Sequence, residues 1–215
     1  PFIISSGMSN EREINMGIEF LNDKDANYAL LHCNSTYPTP PQDINLKYLE
    51  HLSLISDHVV GYSGHEVGIY VPIAAVSLGA SIIEKHITID KSMEGNDHKV
   101  SLLPNELVEM VEGIRIVEKS LGTNEARTIS QGEMINRESL AKSLIVTKDI
   151  EKGEVILKEK LGIISPGKGI QPIYLNDLVG KIAKNKIKKN NYIYFSDVDN
   201  KIKTNRKVFN FPMPW

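Results

Sequence analysis

Two histidines in the stretch "GYSGHEVGIYVPIAAVSLGASIIEKHITID" (61–90), His65 and His86, are placed to do chemistry. His65 follows the apolar run ending in "VVGYS", and His86 closes "SIIEKH". Neutral imidazole suits Mn, Zn or Fe, with the remaining positions left to water and substrate oxygens. Each histidine could equally be a hydrogen-bonding residue of the core, and spacing alone does not choose. Ser5, Ser35 and Ser63, with Gly7 and Gly64, offer hydroxyl and backbone N–H donors of the kind that cradle a phosphate. On composition alone these are ordinary loop residues. "EGNDHKVS" (94–101) adds Asp97 and His98, which either face a polar ligand or form a turn.

These groups share a rim only if the elements before them are parallel strands. "FIIS" (2–5), "YALLHC" (28–33), "HVVGYS" (58–63) and "SIIEKHIT" (81–88) are short, β-rich runs bounded by polar residues or glycine. Helical stretches are expected between them, over 11–22, 44–56 and 69–79. Asn10 and Glu13 form a capping-box pattern for the first. The clearest helix is 104–121, where Leu107, Met110, Val111, Ile114, Val117 and Leu121 share a face. Pro104 suits its first turn and Gly122 the position after its end. Four βα units imply a parallel sheet, doubly wound or in a barrel, with functional groups at the carboxyl ends of the strands. Eight units of a barrel average about 31 residues each, so four make about half a barrel.

Residues 123–140 are polar and read as an irregular linker. From 141 to 199, short strand-like runs with Gly and Asn turns predict a compact, mostly β domain. Its lysines at 181, 184, 186, 188 and 189 lack interleaved aromatics, so they read as a solvated surface rather than a nucleic-acid platform. The net charge of −2 gives no general attraction to nucleic acid or anionic lipid. No apolar run approaches the roughly 20 residues a membrane helix needs. A single cysteine, Cys33, excludes a disulfide framework within the chain and suits a reducing, cytoplasmic setting. The chain opens on Pro1 within an apolar run and stops at "FNFPMPW". The expectation is a fragment of a longer protein, with 200–215 as the start of a further domain.

The ordered series "SSGM" (5–8), "LLHCNSTYPTPPQDINL" (30–46), "GYSGHEVG" (61–68), "GASIIEKHITID" (79–90) and "GNDHKVSLLPNEL" (95–107) resembles the sialic acid synthase family. "AKSLIVTKDIEKGEVI" and "PGKGI" resemble that family's antifreeze-like (SAF) domain, so the resemblance covers about residues 1–199. It implies an α/β fold: residues 1–122 as the second half of a (β/α)8 TIM barrel, a linker, then the SAF domain at 141–199. It also implies condensation of phosphoenolpyruvate with N-acetylmannosamine or its 6-phosphate. The product is a nine-carbon 2-keto sugar acid, released with phosphate. Synthesis of legionaminic or pseudaminic acid is a close variant.

By the same resemblance, His65 and His86 are ligands of a divalent metal, most often Mn²⁺, with Mg²⁺ or Co²⁺ as substitutes. Ser5, Ser35 and Ser63 match positions that hold phosphoenolpyruvate. Tyr37, Glu84 and Asp97 match positions lining the acceptor sugar, with Glu84, His65 and His86 as the catalytic set. A cation beside Glu84 would favour its ionised form. The resemblance further implies a domain-swapped homodimer, without nucleic-acid or membrane partners. "SGHE" resembles the animal-type branch, whose acceptor is the 6-phosphate. Ser165, in "SPGKGI", stands where bacterial members often carry arginine, with Lys168 as its substitute. The family's first half-barrel supplies a catalytic glutamate and phosphate-binding lysines, so residues 1–215 alone are expected to be inactive. A non-catalytic sugar- or partner-binding module is the alternative from another class, and a metal-dependent aldolase a third reading.

Overall fold

Strands β1 (Phe2–Ser5), β2 (Tyr28–Cys33), β3 (Val59–Gly64) and β4 (Ile83–Lys85) form one parallel sheet in the order β1-β2-β3-β4. In the computed structural model, which describes residues 1–199, they belong to a unit spanning Pro1–Asn124. A strand order that follows the chain without reversal is singly wound, as in a barrel, whereas a doubly wound sheet reverses at a switch point. The sheet is therefore a half-barrel.

Alternation within the strands decides which side chains meet helices. Ile4, Tyr28, Leu30 and Val60 pack with Ile14, Ile18 and Leu21 of α1 (Glu11–Asp23) and with Leu52 of α3 (Tyr48–Ile55). Tyr62 and Ile83 pack with Leu49, Ala75 and Ala80. Helices α4 (Tyr70–Ser77) and α6 (Pro104–Leu121) join through Ile73, Val76, Met110 and Ile114. The intervening residues Ser5, Cys33, Ser63 and Glu84 are left for the opposite face, because successive side chains of a strand alternate.

The helix ends follow their local chemistry. The Asn10 side chain accepts from Glu13 N–H at 3.1 Å, and Asn10 N–H donates to the Glu13 carboxylate at 2.8 Å. Pro104 opens α6, and Gly122 ends it with φ of 60°. The single helix expected over 44–56 is instead α2 (Pro41–Ile44) and α3, because Asn45 adopts the left-handed conformation between them. The fourth strand is shorter than expected, reduced to Ile83–Lys85, with Ile87 bridging Leu102 beyond it. Asp97 and His98 sit in a one-turn helix, α5 (Asn96–Val100).

The second unit starts at Glu125. Its first element corrects the reading of 123–140 as irregular throughout: residues Gln131–Leu140 form α7. Ser130 and Glu133 close a capping box there, a pattern present in the sequence as "SQGE". Strands β5 (Ser143–Val146) and β6 (Leu161–Ile164) pair antiparallel. Isolated bridges such as Ile150–Ile187, Val155–Ile182 and Ala183–Val198 extend the β character. Leu144, Val146, Ile150, Ile156, Leu178 and Ile193 form the centre of its core. The further domain expected to start at 200 lies outside the described residues.

Candidate active site

The carboxyl ends of β2, β3 and β4 are in register: Cys33 lies opposite Ser63, and Ser63 opposite Glu84. The Ser63 hydroxyl donates to Glu84 Oε1 at 2.7 Å. Ser63 is buried and Glu84 exposed, so a fixed donor holds a carboxylate that remains open to a ligand.

His65 and His86 each follow the last residue of their strand, and their ring centroids lie 5.1 Å apart in an edge-on arrangement. His65 Nδ1 is 2.8 Å from the Asn34 carbonyl, and its Nε2 is 2.9 Å from the Tyr37 hydroxyl. A carbonyl only accepts, so Nδ1 carries the proton and Nε2 presents its lone pair. The Tyr37 ring lies 4.2 Å from that of His65 and 5.8 Å from that of His86. Burial, followed by the charges of Cys33, Asp97 and Glu84, raises the Tyr37 pKa, so its phenol stays a donor at neutral pH.

The donor set fits a divalent ion. One imidazole is oriented by a backbone carbonyl at Nδ1, as a metal-binding histidine requires, and its Nε2, which accepts from the Tyr37 hydroxyl, is the nitrogen a metal would take in that hydroxyl's place. Among the described residues no group of three or more His, Cys, Asp or Glu is arranged to hold a metal. His65 and His86 would supply two ligands, leaving positions for water or substrate oxygens.

The remaining predicted positions are spread along the same rim. A Cβ on Gly7 would lie 2.2 Å from Ser35 Oγ and 3.0 Å from Cys33 Sγ. Gly7 therefore makes room for the Ser35 hydroxyl at the ends of β1 and β2. Ser5 is exposed on β1, in register with Leu31, one step below the Cys33–Ser63–Glu84 row. His98 pairs with Thr88 at 2.8 Å. His32, a strand-end residue in the sequence, faces away from this rim: it is buried between Tyr48 and Tyr62, with Nε2 2.6 Å from the Ile44 carbonyl.

The profile of the NeuB family matches residues 1–126, and that of the SAF domain residues 141–199. This chain belongs to the NeuB family. It is 37% identical over 202 residues to N-acetylneuraminate-9-phosphate synthase of Homo sapiens, covering 93% of this chain and 56% of that protein. It is 40% identical over 194 residues to N,N'-diacetyllegionaminic acid synthase of Campylobacter jejuni, covering 89% of this chain and 58% of that protein. The chain thus spans little more than half the length of these relatives. A spore coat polysaccharide biosynthesis protein E from Chromobacterium violaceum has the same fold, with a TM-score of 0.71 at 21% identity, over 93% of this chain and 61% of that one.

In this NeuB-family chain, three residues absent from the sequence-level site lie behind it. Glu66 and Lys85 form an ion pair of 2.9 Å with both side chains buried, and the Tyr62 hydroxyl donates to the second Glu66 oxygen at 2.6 Å. Burial lowers the Lys85 pKa against the opposing pull of Glu66, while burial and the Glu66 contact raise that of Tyr62. The available signal was alternation: if Glu84 and His86 face the site, Lys85 between them faces the core, where a cation needs a partner. In the SAF unit, a cleft of about 530 Å³ is lined by Ile135, Glu138, Ser165, Pro166 and Lys168. It contains none of the strand-end groups. Ser143 braces the loop beside it, donating to the Pro166 carbonyl at 2.7 Å and accepting from Gly169 N–H at 2.8 Å.

His32 is expected to make the first unit sensitive to acid. Among the described residues its Nδ1 is buried without a partner, and burial holds its pKa below the ordinary 6.5. As pH falls below about 6.5, the unfolded chain takes up a proton that the folded chain resists, so stability declines toward the folded-state pKa. Urea unfolding at pH 7.5 and 5.5 should give a lower midpoint at the acid value. His32→Gln, whose amide can still donate to Ile44, should reduce that difference. An equal difference in the variant would remove His32 as the cause.

Proposed function

We propose that this chain forms part of a nonulosonate synthase that condenses phosphoenolpyruvate with N-acetylmannosamine or its 6-phosphate. The product is a nine-carbon 2-keto sugar acid, and phosphate is released. The observation that carries this reading is the joined set at the strand ends: Ser63 donating to Glu84, beside the His65–Tyr37–His86 cluster. Family membership and the two synthase relatives support it.

His65 and His86 would hold a divalent ion, Mn²⁺ by preference with Mg²⁺ or Co²⁺ as substitutes, and the Asn34 carbonyl, by fixing the proton on Nδ1, leaves the His65 Nε2 as the nitrogen that would bind it. When bound, that ion would polarise the open-chain sugar aldehyde toward attack by C3 of the enol. Ser5, Ser35 and Ser63 offer hydroxyl donors to the carboxylate and phosphate of phosphoenolpyruvate. Tyr37, Glu84 and Asp97 line the acceptor side, where the Ser63 hydroxyl fixes the Glu84 carboxylate. Bond formation at C3 is followed by addition of water at C2 and loss of phosphate. The partner half-barrel and a homodimer arrangement belong to the same proposal. So does a cytoplasmic location, since phosphoenolpyruvate is an intracellular metabolite. No helix among the described residues is long and apolar enough to cross a membrane.

The test is phosphate release from phosphoenolpyruvate by the intact protein with Mn²⁺, supplied separately with N-acetylmannosamine, its 6-phosphate and a diacetamido aldose. Release with one acceptor identifies the synthase. Absence of release with all three, together with tight sugar binding, would replace it with the binding-module reading.

A further inference from the structure

The sheet ladder stops one residue before each histidine. The last paired residues of β3 and β4 are Gly64 and Lys85, so His65 and His86 have no ladder contact with each other. Their main chains are tied elsewhere: the His65 carbonyl accepts from Thr39 N–H at 3.1 Å, and the His86 carbonyl from Leu102 N–H at 2.8 Å. Neither tie runs from one histidine segment to the other.

A buried link does. Lys85, immediately before His86, donates to both the carboxylate and the main-chain carbonyl of Glu66, immediately after His65. The Lys85 and Glu66 side chains are only 2% and 3% exposed. Tyr62 holds the other Glu66 oxygen. The carboxylate is folded back under the strand, where a Cβ on Gly64 would lie 2.7 and 2.8 Å from its oxygens and 2.8 Å from the Tyr62 ring. Glycine at 64 is what leaves it this space.

Stability alone is a poor reason for such a pair. Removing two charges from water costs several kcal/mol each, and well-packed apolar residues are often at least as stabilising. What the pair adds over apolar packing is direction, since each hydrogen bond fixes an atom in a stated place. Supporting groups behind metal ligands commonly change metal affinity by about 10–100-fold.

We infer that the buried Tyr62–Glu66–Lys85 network is a positioning device that sets the separation and orientation of His65 and His86. This rests on the proposal that the two histidines hold a divalent ion. Glu66, Lys85 and Tyr62 touch no substrate in this scheme and act through the histidines.

The experiment titrates Mn²⁺ into the intact protein, reading free Mn²⁺ by electron paramagnetic resonance, with fold checked by circular dichroism and thermal melting. The variants are Glu66→Gln, Lys85→Met, their double combination, and Tyr62→Phe, with His65→Ala as reference. Each charge variant is expected to weaken Mn²⁺ binding by about tenfold or more. The double variant should be no weaker in binding than the worse single one, because both disable one link. It also leaves no unpaired buried charge, so it stays folded where a single variant does not. Tyr62→Phe should weaken binding less. Folded variants that bind Mn²⁺ as the parent does, whatever their melting temperatures, would overturn the inference alone. A parent that binds no Mn²⁺, or a His65→Ala protein that binds it equally well, would overturn the metal proposal and this inference with it.

Discussion

Replacing His65 by alanine in the intact protein is expected to abolish Mn²⁺ binding at this centre and to lower phosphate release by about a thousandfold or more. Half of the protein's imidazole donor set disappears, and with it the group whose lone pair is oriented by Asn34. The fold should survive. Asn34's carbonyl keeps a second donor, the Thr39 hydroxyl at 3.2 Å, and the Tyr37 hydroxyl lies on a partly exposed residue. The loss of two hydrogen bonds is therefore expected to cost about 1–3 kcal/mol of stability, as net contributions of such bonds run about 0.5–1.5 kcal/mol each. Thermal melting separates that cost from the functional loss. A folded variant that retains activity within tenfold of the parent would remove His65 from the catalytic set.

Glu84→Gln should have the next largest effect. The amide keeps an oxygen able to accept from Ser63, so the 2.7 Å contact and the local shape persist while the negative charge is lost. Removing a positioned acid–base or charged group typically costs about 10²–10⁴-fold in rate, and a loss of about a hundredfold or more is expected here. Because Glu84 is exposed, the thermal midpoint should barely move. The effect should fall on turnover and on the acceptor's KM more than on that of phosphoenolpyruvate. An equal rise in both KM values with unchanged turnover would make Glu84 a general electrostatic residue instead.

The elements were legible because their signals are local. The Asn10–Glu13 capping box, Pro104 and Gly122 each act within a turn of their own residue, and each marks a helix end in the structure. The same kind of signal at Ser130–Glu133 was present in the sequence, but the polar character of 123–140 masked it. Asn45 leaves no such local signal: a left-handed residue splits a helix without disturbing the apolar pattern on either side. His32 looked like its neighbours at a strand end. Only the pleat, together with Tyr48 and Tyr62, turns it into a buried core residue.

The sequence by itself determined the identities and chain positions of the candidate groups, and that parallel strands would carry them. The tertiary structure decided that the strands run in unreversed order, that Ser63 bonds Glu84, and that His65 presents Nε2 toward Tyr37. It also decided that Glu66 and Lys85 meet behind the two histidines. Periodicity and capping depend on residues a few positions apart, so one chain can be read for them directly. Contacts such as Glu66–Lys85, 19 residues apart, depend on register and on where the ladder ends, which the packing of the whole unit sets.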